Sequence, residues 1–121
     1  KQERRQRGRD IAMNQMLQDV ETADVVIVNP THYAVALHWS RMPGSGPTCV
    51  AKGVDEIAAA IRERAVEHAV PIHEDPPTAR ALHATTQIGH EIPEEQYRPV
   101  ATAIRFAETM RKKMRSRGVG P

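Results

Sequence analysis

The apolar positions fall into short runs whose period changes along the chain. Val25-Val26-Ile27-Val28 is a β-branched run opened by Asp24, suited to a buried strand. The turn composition Asn29-Pro30-Thr31-His32 separates it from a second strand, Tyr33 to Trp39. Met42-Pro43-Gly44-Ser45-Gly46-Pro47 reads as a loop, and Thr48 to Ala51 as a short third strand. Between Val54 and Ala69 the apolar residues Val54, Ile57, Ala58, Ile61, Ala65 and Ala69 take helical spacing. Asp55 and Glu56 suit the positive N-terminal end of that helix. Val70 to His73 predicts a fourth short strand, with Pro71 marking a start or an edge. Asp75-Pro76-Pro77 carries an N-cap followed by proline, predicting a helix to about Thr85.

After Gly89, Ile92-Pro93-Glu94-Glu95 is another helix start. Pro99 divides the C-terminal stretch into a short turn and a longer helix from Arg98 to about Arg115. Tyr97, Val100, Ala101, Ile104 and Met110 are its expected buried side. At the front, Lys1 to Gln18 reads as a polar, extended helix. Its few apolar positions, Ile11, Met13, Met16 and Leu17, offer too little surface to dock strongly, which predicts a mobile lead-in. Past the lead-in the order is β-β-β-α-β-α-α. The fold class is α/β: a single small domain, a mixed four-stranded sheet packed by about four helices. The expected division is a basic lead-in over 1–22, a folded domain over 23–116 and a flexible tail over 117–121.

The length of 121 residues suits one domain, and 40% hydrophobic with 26% charged residues is a globular balance. The longest unbroken apolar runs, Tyr33 to Leu37 and Ile57 to Ile61, are far short of the ~20 residues that span a bilayer. No signal-peptide pattern opens the chain, and its start at Lys1 suits a piece of something longer. A single cysteine, Cys49, excludes an internal disulfide framework and a cysteine-based zinc site. Nothing in the sequence places the chain outside the cytoplasm.

Charge distribution says more than the net +2. Residues 1–10 carry five basic and two acidic residues, and 111–117 carry five basic and none acidic. The stretch 11–110 holds seven basic against thirteen acidic residues, so an acidic body has two basic ends. With aromatics at only 3%, the stacking face of a nucleic-acid binder is missing. The basic ends read as solvated helix or tail, or as attraction to anionic lipid or an acidic partner.

Six histidines invite a metal reading, but none forms an HExxH or an i, i+4 helical pair. Ser40 and Ser45 flank a loop, and Cys49 lies in a strand, so no nucleophile stands out. No phosphate loop is present, and no cofactor is implied. Asn29-Pro30-Thr31-His32 offers a different chemistry. Asparagine usually damages itself when the next backbone nitrogen attacks its side chain, but Pro30 nitrogen carries no hydrogen. The reverse attack stays open: the Asn29 side-chain nitrogen can close a succinimide on its own carbonyl carbon and expel Pro30. The X-Pro bond holds Asn29 extended, and a tight turn can set the attack distance near ~3 Å. His32 has a suitable proton-transfer group, and Thr31 can shape the turn. Thr31 is a poor nucleophile here, since an N-to-O shift would cut before Thr31 instead. On dipeptide content alone, an ordinary non-cleaving turn is the better reading.

Asn29-Pro30-Thr31-His32-Tyr33-Ala34-Val35-Ala36-Leu37 resembles the signature of the FlhB/YscU family, export-switch proteins of bacterial type III secretion. Further matches follow in order: Ala51 to Glu56, Val70-Pro71-Ile72, Asp75 to Leu82, and Ile88 to Pro93. The resemblance covers roughly 19–106, with Tyr33 and the 51–56 stretch closer to the flagellar branch. It implies the cytoplasmic C-terminal domain of an inner-membrane protein whose transmembrane part precedes this region. It also implies a single self-cleavage between Asn29 and Pro30, with both pieces staying associated. Asn29, Pro30, Thr31 and His32 would carry that reaction, without cofactor or metal. Cleavage in the family accompanies a switch from rod-hook to filament export substrates. The expected partners are other export-gate components, export substrates and the hook-length control protein, and not nucleic acid. Asp75, Thr78 and His90 depart from the more usual Asn, Leu and Gln. Rival readings are an injectisome homologue, and a docking domain whose turn performs no chemistry.

Overall fold

The computed structural model describes residues 2–118. Four strands form one mixed sheet: β1 (Val25–Asn29), β2 (Tyr33–His38), β3 (Thr48–Val54) and β4 (Ile72–Glu74). The helices are α1 (Gln2–Asp19), α2 (Asp55–Glu67), α3 (Pro76–Thr85) and α4 (Tyr97–Gly118), with 3-10 turns at Val20–Thr22 and Glu94–Gln96. Strand order is β3-β2-β1-β4; β2 runs antiparallel to both neighbours, and β4 lies parallel to β1 at the edge, as Pro71 predicts. The α/β sandwich and its mixed sheet are therefore as expected.

Alternation along β1 makes both faces of the sheet apolar. Val26 and Val28 join Ala34, Ala36, Ala58, Ile61 and Ala65 beneath α2. Val25 and Ile27 join Val35, Leu37, Leu82, Val100 and Ala103 beneath α3 and α4. A bulge between Ala36 and Leu37 pairs them with Ala51 and Cys49, leaving Val50 extra. Cys49 and Ala51 consequently belong to opposite cores.

Several boundaries differ from expectation. β1 begins one residue late and includes Asn29. β2 stops at His38, where Trp39 turns its backbone N–H to Asp24. β3 continues through Lys52-Gly53-Val54, because those residues still pair with β2 down to Tyr33↔Val54. α2 stops at Glu67 through an αL closure: Ala69 has φ +56°, and Val70 N–H donates to the Ala65 carbonyl at 2.8 Å. The usual glycine signal for such a stop is missing. The buried stripe of α4 is Val100, Ala103, Ile104 and Ala107, whereas Ala101 and Tyr97 are exposed. Val100 and Ile104 are common to both, and Ala103 and Ala107 complete the buried side in place of Tyr97 and Ala101.

The expectation that the lead-in cannot dock is corrected at its C-terminal end. Met13, Met16, Leu17 and Val20 follow i, i+3, i+4, i+7 spacing and pack on the α2-side core, with Met16 and Val20 buried. Arg64 and His68, in and just after α2, reach Glu21 at 3.6 and 3.1 Å. At the other end, α4 remains helical through Gly118, and 119–121 of the expected tail lie outside the described residues.

Gly53 fixes how closely β3 approaches α2. A Cβ there would stand 2.7 Å from Ile57 Cβ and closer still to Ile57 Cγ2. Gly53→Ala should cost about 1–3 kcal/mol by overpacking, seen as a lower midpoint in urea. An unchanged midpoint would mean that β3 and α2 separate without cost.

Candidate functional site

The four residues singled out by chemistry form one hairpin turn. Asn29 closes β1 and pairs with Tyr33 of β2, so Pro30, Thr31 and His32 are the loop. His32 N–H donates to the Asn29 carbonyl oxygen at 2.7 Å, closing the four residues as a β-turn with proline in its second position. Pro30, Thr31 and His32 are exposed and Asn29 is half-buried. The strand on which Asn29 ends is held to its last residues. Val28 faces Ala34 on one side and Glu74 on the other, and its carbonyl accepts Asp75 N–H at 3.0 Å.

Chemically, the turn presents one polarised carbonyl. A backbone N–H already points at the Asn29 oxygen, where negative charge would develop if its carbon were attacked. On the far side of that carbon is a proline nitrogen, which has no hydrogen to donate.

Asp55, which sequence reasoning treated only as a helix-start charge, contacts this turn directly. Its N–H donates to the His32 carbonyl at 3.0 Å, and its Oδ1 lies 3.5 Å from His32 Nδ1. No spacing rule would have linked the two residues; only the β2–β3 register brings them together. Beside the turn, Tyr33 stacks at a tilt on His83 of α3, with ring centroids 5.1 Å apart. Lys52 Nζ donates to the His83 carbonyl at 2.9 Å. Burial first, and then the Lys52 charge, hold His83 below its ordinary pKa.

Asp24, at the opposite end of β1, is the other acid missed. It is buried, accepts Trp39 N–H at 2.7 Å, and meets Arg41 Nη1 at 3.1 Å and Arg111 Nη1 at 3.6 Å. His38 Nδ1 lies 3.3 Å away but out of line for a hydrogen bond. Arg41 continues to Glu108 at 3.3 Å, so this charge group ties α4 to the start of β1.

The remaining histidines stay scattered, and the described residues gather no group of three or more metal-ligating side chains. Cys49 is buried, and desolvation pushes its thiol up to about 11. Because the folded value lies above the unfolded one, this burial favours the fold below about pH 9 and loses its contribution as pH rises toward 11. Ser40 and Ser45 hydroxyls face one another at 3.0 Å in the loop, without a base. A groove of about 380 Å³ opens between that loop and α4, lined by Trp39, Gly46, Pro47, Tyr97, Ala101 and Ile104 among others. Among the described residues no helix is long and apolar enough to cross a membrane.

The family model described as the FlhB HrpN YscU SpaS Family matches residues 1–107, and the chain belongs to that family. It is 40% identical to the flagellar biosynthetic protein FlhB of Yersinia enterocolitica over 97% of this chain and 30% of that protein. With the Salmonella typhimurium FlhB the identity is 44%, over 89% of this chain and 28% of the relative. The chain thus spans less than a third of the curated relatives it matches. The crystal structure of the cytoplasmic domain of FlhB from Shewanella putrefaciens superposes with a TM-score of 0.80 at 38% identity, covering 90% of this chain and 84% of that one. An EscU C-terminal domain gives a TM-score of 0.71 at 30% identity, over 76% of this chain and 98% of its own length.

Asp24→Ala leaves Arg41, Arg111 and the Trp39 N–H without their shared acceptor. The expected loss is about 2 kcal/mol, between an exposed pair and a fully buried one. Denaturant titration measures it, and a loss below about 0.5 kcal/mol would show that water replaces the carboxylate freely.

Proposed function

We propose that this chain is the cytoplasmic switch domain of a flagellar protein-export component, and that it cuts itself once between Asn29 and Pro30. The supporting observation is the 2.7 Å hydrogen bond from His32 N–H to the Asn29 carbonyl oxygen. It polarises the carbonyl of the single Asn-Pro bond in the chain. In the proposed reaction Asn29 Nδ2 attacks the Asn29 carbonyl carbon and forms a C–N bond, giving up a proton. The tetrahedral oxygen is held by His32 N–H. The bond to Pro30 then breaks, and its nitrogen takes up a proton to become a free secondary amine. Asn29 is left as a C-terminal succinimide, which water opens. His32 serves as the proton carrier and Thr31 shapes the turn. The reaction happens once per chain, so the domain is no turnover enzyme.

The severed β1 would remain between β2 and β4, with side chains in both cores. Cutting therefore frees the turn without dismantling the sheet. The cut would change export from rod and hook substrates to filament substrates at the cytoplasmic face of the inner membrane. The other export-gate components and the hook-length control protein are the proposed partners, and the flagellar names of the curated relatives favour this over the injectisome branch.

The groove beside Trp39 and Tyr97 favours a docking role as well, since it combines apolar lining with the exposed Tyr97 and the half-buried Trp39. Ala101→Glu, at an exposed groove position, should weaken export-substrate binding at least ~10-fold in a pull-down titration while leaving cleavage unchanged. Equal binding would place the docking surface elsewhere.

The cleavage reading is tested by mutation. Asn29→Ala should fold normally and remain whole, and His32→Ala should slow the cut by about 10²-fold or less. Chains followed by mass spectrometry from the time of synthesis give both rates. Cleavage that persists in Asn29→Ala would exclude cyclisation.

A further inference from the structure

Resting on the self-cleavage reading, we infer that Asp55 is a positioning residue that orients His32 for the cut. Asp55 meets His32 at two points: its backbone N–H donates to the His32 carbonyl at 3.0 Å, and its carboxylate lies 3.5 Å from His32 Nδ1, close but not hydrogen-bonded. His32 in turn supplies the N–H that holds the Asn29 carbonyl oxygen. The three contacts form one line from the start of α2 to the bond that breaks.

The backbone of Asp55 is strained for this arrangement. Its φ is +47°, in the left-handed region that is costly for an ordinary L-residue and that Asp and Asn enter most readily. The side-chain contact does not offset that cost, because the two side chains are 69% and 71% exposed, and polar contacts so open to water contribute little. Nor is Asp55 the helix cap: the N-cap position belongs to Val54, whose side chain has no polar atom. Two neighbours enforce the strained geometry. Tyr33↔Val54 is the last rung of the β2–β3 ladder, and Gly53 lets the strand run directly against Ile57 before turning into α2. Strain held by its surroundings next to a reacting group is a mark of function.

The carboxylate faces Nδ1, and closing that gap during the reaction would favour the Nδ1–H tautomer and leave Nε2 to carry the proton between the Asn29 carboxamide and the departing Pro30 nitrogen. No atom of Asp55 reaches the reacting groups in this scheme; it acts through His32 alone.

A double-mutant cycle on the full chain tests this. Asn also accepts a positive φ, so Asp55→Asn keeps the backbone and removes the charge. It should slow cleavage about tenfold when His32 is present. In a His32→Ala background it should change the rate less than about twofold, whereas a merely structural loss would slow both chains alike. Asp55→Gly, which also tolerates the conformation, should repeat the pattern. Nitrogen-15 chemical shifts of His32 in the uncleavable Asn29→Ala chain should report the Nδ1–H tautomer while Asp55 is present. Adding Asp55→Asn to that chain should move them toward Nε2–H. Wild-type cleavage by Asp55→Asn, equal slowing in both backgrounds, or unchanged shifts would overturn the inference. If the unsubstituted chain never cuts, the self-cleavage reading itself fails, an outcome separate from these.

Discussion

Everything in this fold depends on β1 being held from both sides to its last residues. It pairs antiparallel with β2 over its whole length and parallel with β4 over Val26 to Val28. Its alternating residues reach into two separate cores. A strand fixed in register cannot slip without moving every side chain to the wrong face. The turn after Asn29 is therefore set in place by the whole sheet rather than by its own four residues.

Two acids close the ends of that strand in different ways. Asp24, at its start, is buried and gathers Arg41, Arg111 and the Trp39 N–H, joining the first strand to the last helix. Asp55, beyond its end, is exposed and reaches only the turn. The first is placed to hold the body together and the second to hold one residue still. A break after Asn29 would leave Asp24 on one piece and both of its arginines on the other, so the charge group would join the pieces alongside the two cores.

Much of this was legible in the sequence because the signals were local. The β-branched run at 25–28, the Asp75 N-cap before Pro76 and the edge marked by Pro71 each depend on neighbouring residues, and each appears in place. The Asp75 carboxylate accepts from Thr78 N–H at 3.4 Å and from its hydroxyl at 2.6 Å. What the sequence hid was tertiary. Ala69 ends α2 in a conformation normally marked by glycine, so the helix read too long. The docking stripe at Met13, Met16 and Leu17 is hard to see because most of the helix around it is polar, and Val20, which completes it, lies beyond the helix. Of the site, covalent chemistry drew attention to the four turn residues, and the family resemblance raised them above an ordinary turn. Asp55 and Asp24 were not, because β-register and helix packing, which no local spacing encodes, bring them to their partners.

If the turn cuts as proposed, one chain becomes two pieces and still remains one folded body. The most direct test weighs a single purified sample twice, once under native and once under denaturing conditions. One particle is expected in the first measurement and, in the second, two fragments that meet at Asn29 and Pro30. A single uncut mass under denaturing conditions after long incubation at neutral pH would contradict it.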